Sequence, residues 1–341
     1  MKNTQLNLGL IGVGRIGKVH GEHLSYRIPR AKLTAISDVN LEEAKSVGGR
    51  LGIGKIEADY HALMNDPDID AVVICSPTDM HATMIEEAAA AGKHIFCEKP
   101  IARTLREIDK ALDAVERAGI KLQIGFNRRF DANFDRVRRA ILEGEVGEPH
   151  LLHIISRDPG PPPIEYIKVS GGIFLDMTIH DFDMARFLTG DDVEEIYAAG
   201  AVRVDPAIGE AGDLDTALVT LKFKNGVLGV IDNSRKAVYG YDQRVEVLGS
   251  AGGAVVSNNH PNTTVISDAT SVRRDLPLNF FMDRYLDSFL VEMKAFVDAV
   301  LDDAPIPVTG VDGRAAVALG IAARRSYEEN RPVRLEEIEG K

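Results

Sequence analysis

Asp176, His180 and Asp183 stand at positions i, i+4 and i+7, a spacing that puts all three side chains on one face of a helix. Imidazole titrates near neutral pH, and a carboxylate one turn away can hold its tautomer, so Asp176 and His180 read as an acid–base pair. Met177, Ile179, Phe182 and Ala185 fall on the other face and read as packing. The trio could also ligate a divalent ion, but no further Cys or His falls at a familiar ligand spacing, so no metal is expected. A buried, hydrogen-bonded histidine is the plainer alternative. A second group, Cys97-Glu98-Lys99-Pro100, ends the apolar run His94 to Cys97. If that run is a parallel strand, its C-terminal end faces a ligand crevice and Lys99 projects a cation into it. Otherwise Lys99 is a surface cation. Pro100 fixes the backbone that follows and leaves a cis Lys99–Pro100 bond open.

The crevice itself is announced near the start of the chain. Gly12-Val13-Gly14-Arg15-Ile16-Gly17 follows the apolar run Leu6 to Ile11 and opens an amphipathic stretch containing Ile16, Val19, His20, His23 and Leu24. A G-x-G-x-x-G pattern alone is weak, but strand, glycine loop, helix and a second strand closed by a carboxylate, Asp38, form the full context of a dinucleotide site. Gly12 permits the tight turn, Gly14 lets backbone approach a pyrophosphate, and Gly17 lets helix and strand pack closely. Arg15 and Ile16 complete the loop, and the free amides of the helix start face the phosphates. Asp38 can accept both ribose hydroxyls and would repel a 2′-phosphate, while Val39 and Asn40 offer no guanidinium for one, which points to NAD. The alternative for Asp38 is capping of the next helix, a task Asn40 could also perform.

Behind these residues the chain alternates strand and helix patterns. Strands are expected at Leu6 to Ile11, Leu33 to Ser37, Ala71 to Cys75, His94 to Cys97 and Lys121 to Ile124. Helices fall between them, at Asn40 to Leu51, at His81 to Ala91 before Gly92, and from a Thr104/Glu107 capping box to Gly119. Such βαβ alternation predicts a doubly wound parallel sheet, an α/β Rossmann domain over residues 1–128. Beyond Arg129 the texture changes. A helix at Arg136 to Leu142 precedes strands at Leu151 to Ser156, Ile196 to Val204, Ala217 to Phe223, Val227 to Asp232 and Val245 to Leu248. Asn225-Gly226 marks a hairpin between two of them, and Asp158 to Tyr166, with four prolines, reads as a stiff loop. Helices at Met282 to Leu301 and Gly313 to Tyr327 follow. Residues 129–341 are thus expected to form an α+β domain with a large open, mainly antiparallel sheet. Too few helices follow to cover both its faces, so a homodimer or homotetramer is expected.

Composition narrows the partners. A chain of 341 residues with 45% hydrophobic and 27% charged residues suits two globular domains. Its net charge of −12, without a basic cluster, argues against nucleic acid and anionic membranes. No apolar run is long enough to span a bilayer, and the polar stretch Met1 to Asn7 does not resemble a signal peptide. Cys75 and Cys97 lack metal-type spacing and suit reduced thiols in a cytoplasm.

The glycine loop, Cys75-Ser76-Pro77-Thr78-Asp79-Met80-His81, Glu98-Lys99-Pro100 and Gly125-Phe126-Asn127-Arg128-Arg129-Phe130 occur in the order seen in one known group. The chain resembles the glucose–fructose oxidoreductase/inositol dehydrogenase family over essentially its whole length, and its Asp176 to Phe187 stretch is especially similar to that of inositol 2-dehydrogenases. The resemblance implies NAD-dependent oxidation of a cyclic polyol, foremost myo-inositol to 2-keto-myo-inositol (scyllo-inosose). Another inositol isomer or an aldose such as glucose is the alternative. An NAD-dependent glycosidase and a non-catalytic NAD-binding regulator are more distant ones. It implies that His180 takes the hydroxyl proton, Lys99 stabilises the developing alkoxide, and Asp176 orients His180 and balances the lysine. Asp183 would hold a second ring hydroxyl, with Asn127, Arg157, Asp158 and Tyr239 around the rest. Ser76, Pro77, Thr78 and His81 would border the nicotinamide ribose, and Glu98 would contact it. The segment Ile155 to Pro159 varies within the group, so the wall it forms bears on which epimer fits.

Overall fold

The computed structural model describes residues 4–340; the first three residues of the polar start lie outside them. By packing, the chain divides into two units, Met1–Phe130 with Asp287–Val317, and Asp131–Leu286 with Ala318–Lys341.

The first unit holds six strands: β1 (Leu6–Ile11), β2 (Ala31–Ser37), β3 (Lys55–Glu57), β4 (Ala71–Ile74), β5 (His94–Glu98) and β6 (Leu122–Gly125). They form one sheet in the order β3-β2-β1-β4-β5-β6, parallel throughout. All four residues of β4 are buried, as a strand covered by helices on both faces requires. The helix starts follow their local chemistry. Asn40 Oδ1 accepts from Glu43 N at 3.2 Å, and Thr104 Oγ1 accepts from Glu107 N at 3.3 Å. Gly92, at φ +70°, follows the helix Thr78–Ala90. The long helix Phe281–Leu301 was expected after the second domain's strands, yet residues 287–317 pack with this unit. Met293, Phe296 and Val297 are fully buried in one core with Leu8, Leu10 and Phe96, and Ile124 N donates to Val308 O at 3.1 Å. A single boundary drawn along the chain does not express this return. An apolar stripe shows that a helix packs, without naming the sheet it packs on.

The second unit adds β7 (Pro149–Arg157), β8 (Val193–Ala201), β9 (Thr216–Phe223), β10 (Leu228–Ser234), β11 (Asp242–Gly249), β12 (Gly253–Val256), a hairpin of β13 (Val265–Ser267) with β14 (Val272–Arg274), and β15 (Val333–Arg334). Seven of them form a sheet in the order β12-β11-β7-β10-β9-β8-β15, in which only β7 and β10 run parallel. Asn225-Gly226 closes the β9–β10 hairpin, with Gly226 at φ +91°. Alternation is strict along β9, where Ala217, Val219, Leu221 and Phe223 are buried. On the opposite face Leu151, Leu218, Leu228 and Leu248 remain about half exposed.

Three local expectations change. The helix expected from Arg136 begins at Ala132, because Asp131 Oδ1 accepts from Asn133 N and Phe134 N at 3.0 and 3.2 Å. The proline-rich loop gives way to a helix, Ile164–Ser170, with Pro163 as its N-cap. Asp176 and His180 also do not share one uninterrupted helix. The chain forms Ile173–Asp176 and then Ile179–Thr189, with a break at Met177–Thr178. Thr178 causes the break: its N and Oγ1 both reach Ile173 O, and Oγ1 donates to Asn233 Oδ1 at 2.6 Å. Among the described residues no helix is long and apolar enough to cross a membrane.

Candidate active site

In the first unit every residue proposed for the dinucleotide lies at or beyond the C-terminal end of a strand, along one edge of the sheet. The glycine loop follows β1, and a side chain at Gly17 would bring its Cβ within 2.0 Å of Gly12 O. A Cβ at Gly12, which lies at φ +90°, would meet Cys75 O at 2.6 Å, so the ends of β1 and β4 nearly touch. Around Gly14, by contrast, a Cβ would meet nothing within 4 Å. The helix Arg15–Tyr26 has Gly14 as its cap, with neither a side-chain cap nor an acidic residue in its first turn. Open space over a glycine, in front of uncapped amides at a positive helix end, suits a pyrophosphate. Arg15 is exposed and Ile16 partly so.

Asp38 stands after β2 and ties the loop to it. Its Oδ2 accepts from Val13 N and its Oδ1 from Asn40 N, both at 2.8 Å, whereas Asn40 caps the next helix. Ser76, Pro77 and Thr78 follow β4, with Thr78 opening the helix Thr78–Ala90. His81 is buried, with Nε2 2.8 Å from Ser76 O and Nδ1 2.8 Å from Pro100 O. Burial pushes its pKa below the usual imidazole value, even though the two carbonyls favour the charged ring. His81 thus braces the turn that follows Lys99, and the Lys99–Pro100 bond is cis. Glu98, the last residue of β5, meets the buried His20 Nε2 at 2.9 Å, and a carboxylate oxygen of Glu292 comes within 4.8 Å of both side chains. Cys97 is buried and Cys75 partly so, and burial raises both thiols well above their ordinary range, the mark of inert cysteines. Asn127, after β6, is 4% exposed, and its Nδ2 has no partner among the described residues. A buried donor of that kind calls for an acceptor from outside the chain, a water or a ligand.

In the second unit Asp176 is gripped from two sides. Tyr166 Oη donates to its Oδ1 at 2.8 Å, and Arg235 Nη1 donates to its Oδ2 at 3.1 Å. Arg235 is 1% exposed and also reaches Asp213 Oδ2 at 3.3 Å. Neither Arg235 nor Asp213 was expected from sequence, because nothing in their spacing ties them to Asp176. His180 opens the following helix partly exposed, and Asp183 is buried on it. Asp181, between them, is wholly buried and accepts from Asn233 Nδ2 at 2.8 Å.

Arg157 and Tyr239 do come together. Arg157 Nη1 donates to Tyr239 Oη at 3.0 Å, while its other nitrogens bind Asp232, and Tyr239 donates to Asp242 Oδ2 at 2.6 Å. Burial first, then that carboxylate, raises the Tyr239 phenol. Arg157 and Asp232 alternate with the buried Ser156 and Asn233. They therefore stand on the other face of the sheet from Asn233 and the Asp181 it holds. Asp158 is held by backbone bonds at the end of β10 and just beyond it, its N donating to Ser234 O at 2.9 Å and its O accepting from Ala237 N at 2.6 Å.

A six-strand parallel sheet with a glycine-rich turn after β1 defines a dinucleotide-binding protein, and the same chain carries a second unit on a mixed sheet. Sequence models agree in both halves: an oxidoreductase family with an NAD-binding Rossmann fold matches residues 6–126, and the GFO/IDH/MocA C-terminal domain matches residues 134–255. The chain belongs to this GFO/IDH/MocA oxidoreductase family, and its cofactor is NAD. It is 50% identical over 335 residues to the myo-inositol 2-dehydrogenase of Thermotoga maritima, covering 98% of this chain and 100% of that one. It is 46% identical over 328 residues to the inositol 2-dehydrogenase of Rhizobium meliloti, covering 96% and 98%. Among solved structures it matches scyllo-inositol dehydrogenase from Lactobacillus casei, crystallised with NAD(H) and scyllo-inositol, at 30% identity and a TM-score of 0.91, covering 97% and 99%.

Proposed function

We propose that the protein oxidises myo-inositol at one carbinol carbon to 2-keto-myo-inositol. The observation that carries the reading is the strand-end placement of Lys99 on the edge that also holds the glycine loop, in a chain half identical to a myo-inositol 2-dehydrogenase. Bound NAD supplies the acceptor for the hydride leaving that carbon. His180 takes the hydroxyl proton, and the Lys99 ammonium stabilises the oxygen as negative charge develops on it. Asp176, already fixed by Tyr166 and Arg235, orients the imidazole and balances the lysine. Asp183 and the open donor of Asn127 hold further ring hydroxyls, whereas Arg157 and Tyr239, paired on the other sheet face from Asn233 and Asp181, are given no substrate contact. The half-exposed leucines of the second sheet's open face support a homodimer or homotetramer joined there.

An NADH-absorbance screen over inositol isomers, glucose, galactose and xylose tests the reading. The highest kcat/KM is expected with myo-inositol. Lys99→Ala and His180→Ala should each lower kcat by ~10²–10⁴. Absence of NADH with every polyol would overturn the dehydrogenase. Sugar release without net NADH would indicate a glycosidase, and NAD binding without turnover a regulator.

A further inference from the structure

We infer that Arg235 is a positioning residue for the reaction, acting through Asp176; this rests on the catalytic place given to Asp176 above. Arg235 directly follows β10 by sequence, and its amide donates to Asp215 O at 2.8 Å, which anchors its backbone. Its side chain is 1% exposed and sits between Asp176 and Asp213, whose side chains are 14% and 9% exposed. Asp213 does a second task, because its Oδ1 accepts from Ile173 N at 2.9 Å, at the start of the short helix that ends in Asp176. The same carboxylate therefore fixes both the backbone carrying Asp176 and the guanidinium holding it.

Gly172 makes room for this arrangement. It lies at φ +83°, and a Cβ there would come within 2.8 Å of Asp213 Oδ1. With Arg235 on Oδ2 and Tyr166 on Oδ1, both oxygens of Asp176 are held in place. A buried ion pair of this kind is a poor device for stability, because well-packed apolar side chains of similar volume often serve as well or better. It is a good device for aiming a carboxylate, since the planar guanidinium constrains direction as well as charge.

The alternative is a plain structural bridge, and steady-state kinetics beside thermal melting separates the two. The set is wild type, Asp176→Ala, Arg235→Gln, Arg235→Lys and Tyr166→Phe, assayed with the best polyol and its carbinol-deuterated form. A displaced carboxylate should lower kcat of Arg235→Gln by ~30–100-fold, the scale of a 1 Å misplacement, with KM for NAD unchanged. Arg235→Lys, which keeps the charge but not the planar fork, should recover only part of that loss. Tyr166→Phe, altered at a half-exposed side chain, should keep the wild-type Tm and lose kcat by roughly threefold, about the worth of one hydrogen bond. In all three the deuterium isotope effect on kcat should rise as chemistry becomes slower. Wild-type kcat and isotope effect in Arg235→Gln, or in Tyr166→Phe and Arg235→Lys should the glutamine variant not fold, would overturn the inference. If Asp176→Ala turns over like wild type, or wild type oxidises no polyol, the functional reading itself fails, an outcome visible without the Arg235 variants.

Discussion

The two sheets of this chain solve opposite problems. The parallel sheet of the first unit is covered on both faces, so the dinucleotide site proposed there gathers at strand ends and is built largely from backbone: glycines, amides and the first turn of a helix. The mixed sheet of the second unit leaves one face uncovered, and the site proposed there rests on side chains that meet from separate segments, Tyr166, Asp176, Asp213 and Arg235. Backbone sites tolerate almost no change of residue at their glycines. Side-chain clusters tolerate conservative change in graded steps.

The sharpest way to break this contrast lies inside the glycine loop. A Cβ at Gly17 would lie 2.0 Å from Gly12 O, while one at Gly14 would meet nothing within 4 Å. Gly17→Ala should therefore destabilise by about 3 kcal/mol or more and lower Tm by roughly 6–12 °C. Gly14→Ala should leave Tm unchanged and weaken NAD at least ~10-fold, about 1.4 kcal/mol, because the new methyl group occupies the space proposed for the pyrophosphate. Melting curves and NAD titration of the two variants decide it. Equal Tm losses would show that the loop is structural throughout.

The open sheet face offers the next test. Leu228 lies opposite Leu151 on β7, and Leu151 opposite Leu248 on β11, so three half-exposed leucines line up across neighbouring strands. Burying such a row between copies removes apolar area that water otherwise wets. Leu228→Glu should place a charge in that contact and reduce the mass seen by light scattering at micromolar concentration, with NAD affinity unchanged. An unaltered mass would place the contact elsewhere.

How much was readable in the sequence follows the same division. The glycine loop, the Asn40 and Thr104 caps and the Asn225-Gly226 turn were legible because each is decided within a few residues. Asp176 and His180 stood out in the sequence as a candidate acid–base pair, but their local geometry did not. Their helix is interrupted by Thr178, whose hydroxyl bonds Asn233, 55 positions away. Arg235 and Asp213 were invisible for the same reason, since only the strand order brings them to Asp176. The return of residues 287–317 to the first unit could not be read either, because Met293 and Phe296 show that a helix is buried without saying in which core.

The smallest expected effect contrasts the two units in acid. His23, on the helix after the glycine loop, is 5% exposed. Burial, then His20 and Arg27, push its pKa down to about 4, against the opposing pull of Asp287. The unfolded chain therefore binds a proton near pH 6.5 that the folded unit refuses until about 4. Stability from this residue is complete above pH 6.5 and is lost progressively as pH falls toward 4. Burial depresses His81 and His94 in the same unit too, so His23 accounts for part of the slope. In the second unit Asp215 behaves otherwise. Burial raises it, but amides of Arg203, Val204 and Asp205 with the Thr216 hydroxyl outweigh that and hold it below the usual carboxylate range. Its stabilisation persists above that range and fades only at lower pH. His23→Leu should therefore flatten the fall of Tm between pH 6.5 and 4.5 while leaving the steeper loss below pH 4 in place. An unchanged slope in the upper window would mean that His23 takes up its proton in the folded chain as readily as in the unfolded one.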